Sequence, residues 1–271
     1  MIDLKGSRRY SVKNRDDIQN FIYGVCTELN GVFRDSLERD SGFSAGDEIQ
    51  GLFSSPVAAY LYYRWFSMLV HPVKLRAGIG VGTWDIRIDE GGTTAQDGQV
   101  YYRAREAIER ADELDGYNVL YRSGGRIDPA INSLIGGASG IGSRLNAYQN
   151  ELMLIAELLS PITAKGAPDA DALSNLYELM QKKRKIDFYE AENPKPLIEA
   201  LPEGRIIPTP VYADEPGSSF YVTSGKPRGL PSKIAFILGI TRQSVEKTLK
   251  TANIYTARNM TISAIKAMTA E

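Results

Sequence analysis

Between Asp16 and Leu37, apolar side chains recur at Ile18, Phe21, Ile22, Val25, Leu29 and Phe33, with polar residues between them. That spacing predicts an amphipathic helix lying against a sheet. The segment before it, Met1-Ile-Asp-Leu-Lys-Gly-Ser7, opens on a short strand. Ser41 to Phe53 reads as two strands around a Gly46-Asp47 turn, because glycine beside aspartate is a hairpin signal. Pro56 opens the next helix, which runs through Tyr62, Trp65 and Leu69 and is stopped by Pro72. Val73 to Val81 alternates as a strand and Trp84 to Ile88 is expected to be its hairpin partner. Gly98 to Leu114 is again helical, and Val119 to Tyr121 is a closing strand.

The resulting order is strand, helix, hairpin, helix, hairpin, helix, strand. It predicts an α+β fold of split βαβ, ferredoxin-like type, and argues against an alternating parallel sheet. Beyond Gly124 the pattern changes. Gly136-Gly-Ala-Ser-Gly-Ile-Gly142 reads as a flexible junction, followed by helices over 144–159 and 171–189 that Lys165-Gly-Ala-Pro168 separates. Residues 188–225 read as an irregular arm with β-like pieces at Arg205-Ile-Ile207 and Ser219-Phe-Tyr-Val222. The expected organisation is a domain over 1–135 and a mostly helical domain over 143–271.

Within that second domain, Leu230 to Lys250 reads as two short helices joined at Gly239, with Ser232 and Thr241 as N-caps. Ile234, Ala235, Leu238, Ile240, Val245 and Leu249 would be buried. This is the pattern of a helix-turn-helix over 230–251, in which a glycine sits in the short turn. Arg242 and Gln243 would start the recognition helix and reach base edges, and Lys247 and Lys250 would reach phosphates.

Charge sharpens that reading. The whole chain of 271 residues has a net charge of −1, so it carries no global nucleic-acid footprint. From Lys226 to Lys250, however, six basic residues face only Glu246, a local balance of +5. One cysteine, Cys26, excludes an internal disulfide, and with a single histidine, His71, a four-ligand His/Cys zinc site is excluded. No secretion signal and no long uncharged apolar run is seen, so the expectation is a cytoplasmic protein with no membrane partner. Gly137-Ala-Ser-Gly-Ile-Gly142 resembles part of a dinucleotide-binding turn. It does not follow a first parallel strand, and no Tyr-x-x-x-Lys pair accompanies it, so a hinge is the better reading.

The candidate chemistry lies in two acidic segments. Asp3 and Asp47 sit at the edges of strand-like stretches that a single helix separates, so the two carboxylates are expected to meet across adjacent strands. Together they would form a hard oxygen site for Mg²⁺ or Mn²⁺ against a nucleotide phosphate.

Taken together, Ile2-Asp-Leu-Lys-Gly-Ser7, Ser44-Ala-Gly-Asp-Glu48, Leu75-Arg-Ala-Gly-Ile-Gly80 and Gly98-Gln-Val-Tyr-Tyr-Arg-Ala-Arg105 resemble the motifs of class III nucleotidyl cyclases. More closely, the set resembles the SatD family, in which such a palm-like domain is joined to a C-terminal helix-turn-helix. The resemblance implies that Asp3 and Asp47 are metal-binding aspartates. It implies that the turn Leu4, Lys5, Gly6 and Ser7 cradles phosphate, and that Arg105 stands where cyclases place a transition-state arginine. Two departures weaken turnover. Tyr101 stands where cyclases keep the asparagine that positions the ribose, and Phe43 where they often keep the lysine that selects the purine.

The sequence therefore predicts a DNA-binding regulator whose palm-like domain binds a nucleotide or nucleoside triphosphate with a divalent metal. An active nucleotidyl cyclase or nucleotidyltransferase, completing its site across a homodimer, is the alternative. A non-catalytic scaffold is the third reading.

Overall fold

The computed structural model describes residues 1–6, 10–114, 116–164, 166, 168–190, 197, 208–213 and 220–270. Its main sheet has five strands in the order β2-β3-β1-β4-β5. These are β1 (Ile2–Leu4), β2 (Leu37–Ala45), β3 (Glu48–Phe53), β4 (Leu75–Gly80) and β5 (Val119–Arg122). β1 runs antiparallel to both β3 and β4, β2 antiparallel to β3, and β5 parallel to β4. The helices between them are α1 (Val12–Val32), α2 (Pro56–Val70) and α3 (Gln99–Glu113). The protein is thus a mixed α and β fold.

The local reasons are those the sequence contains. Ser11 caps α1 by accepting a hydrogen bond from the Asn14 amide, and Ser55 caps α2 with Pro56 in its first turn. The β2–β3 turn uses Gly46 with a positive φ of 64°. α2 is apolar on nearly every side and is buried accordingly, with Trp65, Phe66 and Leu69 inside the core. Ile2 and Leu4 are buried in that same core. Since side chains alternate along a strand, Asp3 between them turns to the opposite face of the sheet.

α3 rests on that opposite face, directly over β4. The approach is permitted by Gly78 and Gly80: a Cβ on Gly78 would lie 2.1 Å from the Ala104 carbonyl, and one on Gly80 2.3 Å from the Val100 carbonyl. Trp84 to Ile88 is not the hairpin strand its alternation suggests. It is part of a loop closed by a single Ile86–Asp97 bridge. The buried Gln96 side chain holds that loop, accepting from the Ile88 amide at 2.9 Å and from Trp84 Nε1 at 3.2 Å and donating to the Ile88 carbonyl at 2.8 Å. Side-chain bonds take up the backbone groups that a ladder would have used.

The expected junction at 136–142 is also different. It is the C-terminal half of α4 (Asp128–Gly142), and its glycines serve close packing rather than bending. A Cβ on Gly136 would lie 2.8 Å from the Tyr117 ring, and one on Gly137 2.4 Å from the Met260 methyl. Met260 belongs to α9 (Ile254–Thr269), which lies along α4. The remaining helices are α5 (Ala147–Leu159), α6 (Ala170–Lys183), α7 (Leu230–Leu238) and α8 (Arg242–Thr251). Two short strands, β6 (Ile162–Thr163) and β7 (Val211–Tyr212), pair in parallel. The β-like piece expected at 205–207 lies outside the described residues, as does Ser219, and Phe220 to Val222 form no strand.

One core cluster extends from Ile2 to Met268. At its centre lie three charges: Arg64 of α2, Glu157 of α5 and Arg258 of α9. Glu157 and Arg258 are fully buried and Arg64 is 4% exposed. Arg258 also donates to the carbonyls of Gly225 and Ser160, at 2.8 and 2.6 Å, and Glu157 accepts from the Ile162 amide at 2.8 Å.

Candidate functional site

The α3-facing side of the sheet carries a row of charge. Register places Asp3 of β1 directly opposite Glu48 of β3 on one side and Arg76 of β4 on the other. Arg76 donates through Nε to Asp3 Oδ2 at 2.5 Å, and its Nη1 lies 2.5 Å from Asp112 of α3. Arg105, also on α3, grips Glu48 with both arms, Nη1 to Oε2 at 2.6 Å and Nη2 to Oε1 at 2.9 Å. Gln50 and Ser44 donate to the same Glu48 carboxylate at 2.6 and 3.1 Å. Lys5 completes the row, 3.4 Å from Asp112.

The two opposed carboxylates differ electrostatically. Burial would raise both. At Glu48, hydrogen bonds from Arg105, Gln50 and Ser44 outweigh burial and hold the carboxyl below its ordinary value. At Asp3, burial wins over the Arg76 pair, and the neighbouring Asp47 and Glu48 charges add to it, so its pKa is raised. Arg76 divides its attraction between Asp3 and Asp112, which explains why one guanidinium does not bring Asp3 down.

A family model described as the SatD family matches residues 3–181, about two-thirds of the chain. The chain belongs to the SatD family. No curated protein and no solved structure matches it. In this SatD-family chain the matched stretch contains the whole charged row, and α7, α8 and α9 lie beyond it.

The residues expected to form a metal site are brought close together but are engaged otherwise. Asp47 sits in the β2–β3 turn, near enough to Asp3 for its charge to act there. A divalent ion needs several hard oxygen donors around an open point. Asp3 is instead bonded to Arg76, and Glu48, opposite it on β3, is filled by Arg105, Gln50 and Ser44. Among the described residues, no group of three or more His, Cys, Asp or Glu is placed to hold a metal. As they stand, Asp3 is turned to Arg76 and Glu48 to Arg105, so an ion here would have to compete with both guanidiniums.

Of the expected phosphate turn, Leu4 is core, Lys5 pairs with Asp112 and Gly6 has a positive φ of 71°, while Ser7 lies outside the described residues. Phe43 packs against the core opposite Ile49. Tyr101 lies in the first turn of α3 with its hydroxyl buried and without a hydrogen-bond partner among the described residues, lining a cavity of about 170 Å³. Sequence reasoning missed Glu48, Arg76 and Asp112. The signal was available in Arg76, a charge inside an otherwise apolar strand. His71 is the C-cap of α2, and burial together with the Lys183 charge lowers its pKa to about 4.

In α7 and α8, three residues separate the helices. Gly239 turns the chain with φ 59°, and the Ile240 amide bonds back to the Ala235 carbonyl at 3.1 Å. Thr241 caps α8 through the Ser244 amide, as expected. Ser232 is not a cap: α7 begins earlier, at Leu230 behind Gly229, so Ser232 lies in the first turn. Val245 and Leu249 have no exposure, whereas Arg242, Gln243, Lys247 and Lys250 are all exposed. Glu246 tempers the basic surface by pairing with Lys226 and Lys250, at 3.4 and 3.3 Å. Among the described residues, no helix is long and apolar enough to cross a membrane.

Proposed function

We propose that this chain is a DNA-binding regulator in which α7, the Gly239 turn and α8 act as a helix-turn-helix. The observation that carries the reading is the two-sidedness of α8. Val245 and Leu249 seal it to the protein, while Arg242, Gln243, Lys247 and Lys250 all face outward. Arg242 and Gln243 stand in the first turn, where a recognition helix meets base edges, and the lysines follow at phosphate-contact positions.

The order β2-β3-β1-β4, with helices after β1 and β3, supports reading this part of the chain as a ferredoxin-like, palm-like lobe. We read this lobe as a scaffold or binding lobe rather than a catalytic one. Arg105, the candidate transition-state residue, is bound at both arms by Glu48, and Asp3 is bound by Arg76.

The test is a titration of duplex DNA followed by fluorescence anisotropy across a salt series. Phosphate contacts make affinity fall steeply with ionic strength, by a log–log slope of roughly −0.9 per contact. Replacing Lys247 and Lys250 with alanine should flatten that slope by about two. Arg242→Ala should weaken binding to a selected sequence more than to random DNA. Absence of binding at low salt, or binding indifferent to salt, removes the reading.

A further inference from the structure

A cleft of about 940 Å³ opens between α2, α4, α5 and α9, and Lys5 at the end of β1 stands between it and the charged row. Its size is that of a site for a drug-sized or nucleotide-sized molecule. Its charge is one-sided: among the described residues, basic side chains line it and no aspartate or glutamate does. Lys74 and Arg144 stand exposed at its rim with no ion-pair partner among the described residues. They are the cations still available there, because Lys5 is held by Asp112.

The floor adds a second and independent sign. Arg64 lines the cleft, and it belongs to the buried group in which two guanidiniums share the single Glu157 carboxylate. That leaves one uncompensated positive charge out of water, in surroundings where its field is poorly screened. Arg64 donates from Nη2 to Glu157 Oε2 at 2.7 Å and holds Nη1 2.6 Å from Oε1, while Arg258 takes up the same carboxylate, so one negative charge serves two guanidiniums. An excess buried positive charge beside an open cleft suits an incoming anion. The walls between rim and floor set apolar and aromatic side chains such as Tyr63, Met68 and Met153 among polar ones such as Ser139, Asn150 and Thr261.

We propose that this cleft binds a small organic phosphate. Its anionic group would be held by Lys74 and Arg144 over the positive floor, and its aromatic or apolar body by the walls. α5 and α9, which form two of those walls, are also the helices against which α8 packs. The cleft is therefore placed to act as an effector site for α8, a consequence that rests on the DNA-binding reading. The binding site itself does not.

The experiment is calorimetric titration of the full chain with AMP and, separately, with inorganic phosphate, in EDTA and without DNA. AMP should bind in the micromolar to low millimolar range, and at least about tenfold more tightly than inorganic phosphate. Lys74→Glu combined with Arg144→Glu should weaken AMP about tenfold or more, and both sites are exposed, so the fold should survive. Arg242→Ala with Lys247→Ala should leave AMP binding unchanged. No heat and no thermal shift with AMP overturns the proposal. So does binding that survives the two charge reversals, binding lost with the α8 pair, or phosphate binding as tight as AMP.

Discussion

Asp3 and Glu48 lie directly opposite one another on β1 and β3, and their carboxyls are shifted in opposite directions. Like charges so placed repel, and each has its own arginine: Arg76 for Asp3, Arg105 for Glu48. The arginines are not equal. Arg105 gives Glu48 both arms, whereas Arg76 divides itself between Asp3 and Asp112. The result is one well-held carboxylate and one strained one, side by side.

Glu48→Gln should therefore destabilise the protein at neutral pH, by about 1 kcal/mol once screening at the half-exposed Arg105 is allowed for. Because the folded pKa of Glu48 is depressed, its contribution is complete above the ordinary value of 4.5 and is lost as pH falls through the folded value. Urea denaturation of wild type and variant should show a gap at pH 7 that closes below about pH 4.5. A gap independent of pH would mean that packing, not charge, is responsible.

Asp3→Asn should behave in the opposite sense. A raised folded pKa makes the ionised carboxyl a cost that appears as pH rises past the ordinary value of 3.8. The variant should gain relative to wild type as pH rises past about 3.8, and at pH 7 should be as stable as wild type or slightly more so. Arg76 keeps Asp112, which limits the loss of the pair. Wild type should also show no thermal shift on adding millimolar Mg²⁺, because Arg76 and Arg105 already occupy Asp3 and Glu48. A magnesium-dependent rise abolished by Asp3→Asn would restore the two-aspartate metal site.

Much of this arrangement could be read from the chain. Apolar spacing was enough for α1, α2 and α3 and for the hairpin around Gly46 and Asp47, because each has one buried face with a clean period. The pattern failed where side chains, rather than backbone ladders, decide the structure. Trp84 to Ile88 alternates like a strand, but Gln96 satisfies its backbone groups from within the loop. The glycines of 136–142 looked like a hinge because glycine frees the backbone, and nothing local reveals that Tyr117 and Met260 press against them. At the site, the structure brings Asp3, Asp47 and Arg105 into one neighbourhood around β1, β3 and α3. Their pairing with Arg76 and Glu48 depends on register, which a short strand such as Ile2–Leu4 does not encode by itself.

Gly78→Ala should be among the most damaging single methyl additions in the molecule. The new Cβ would meet backbone of α3, 2.1 Å from the Ala104 carbonyl and 2.5 Å from the Ile108 amide, and neither can rotate away. Displacing α3 from β4 should cost about 2–3 kcal/mol. Gly42→Ala, with nothing within 4 Å of the added carbon, should change stability by less than about 0.5 kcal/mol. Similar losses at both positions, measured by chemical denaturation, would show that the close α3–β4 packing is not what the glycine protects.

The buried Arg64–Glu157–Arg258 group makes an ordered prediction. Glu157→Gln keeps the shape and the acceptor for the Ile162 amide but leaves two buried guanidiniums facing each other, and should cost about 3–5 kcal/mol. Arg64→Met should cost less, because it leaves Glu157 and Arg258 as a neutral pair and removes the excess buried positive charge. Adding Arg64→Met to Glu157→Gln should then recover at least about 1 kcal/mol relative to Glu157→Gln alone, a coupling expected of charges in one network. The double variant also guards against the single one failing to fold. Costs that simply add would mean that the excess positive charge of the group has no energetic weight, and with it would go the charge argument for the floor of the cleft.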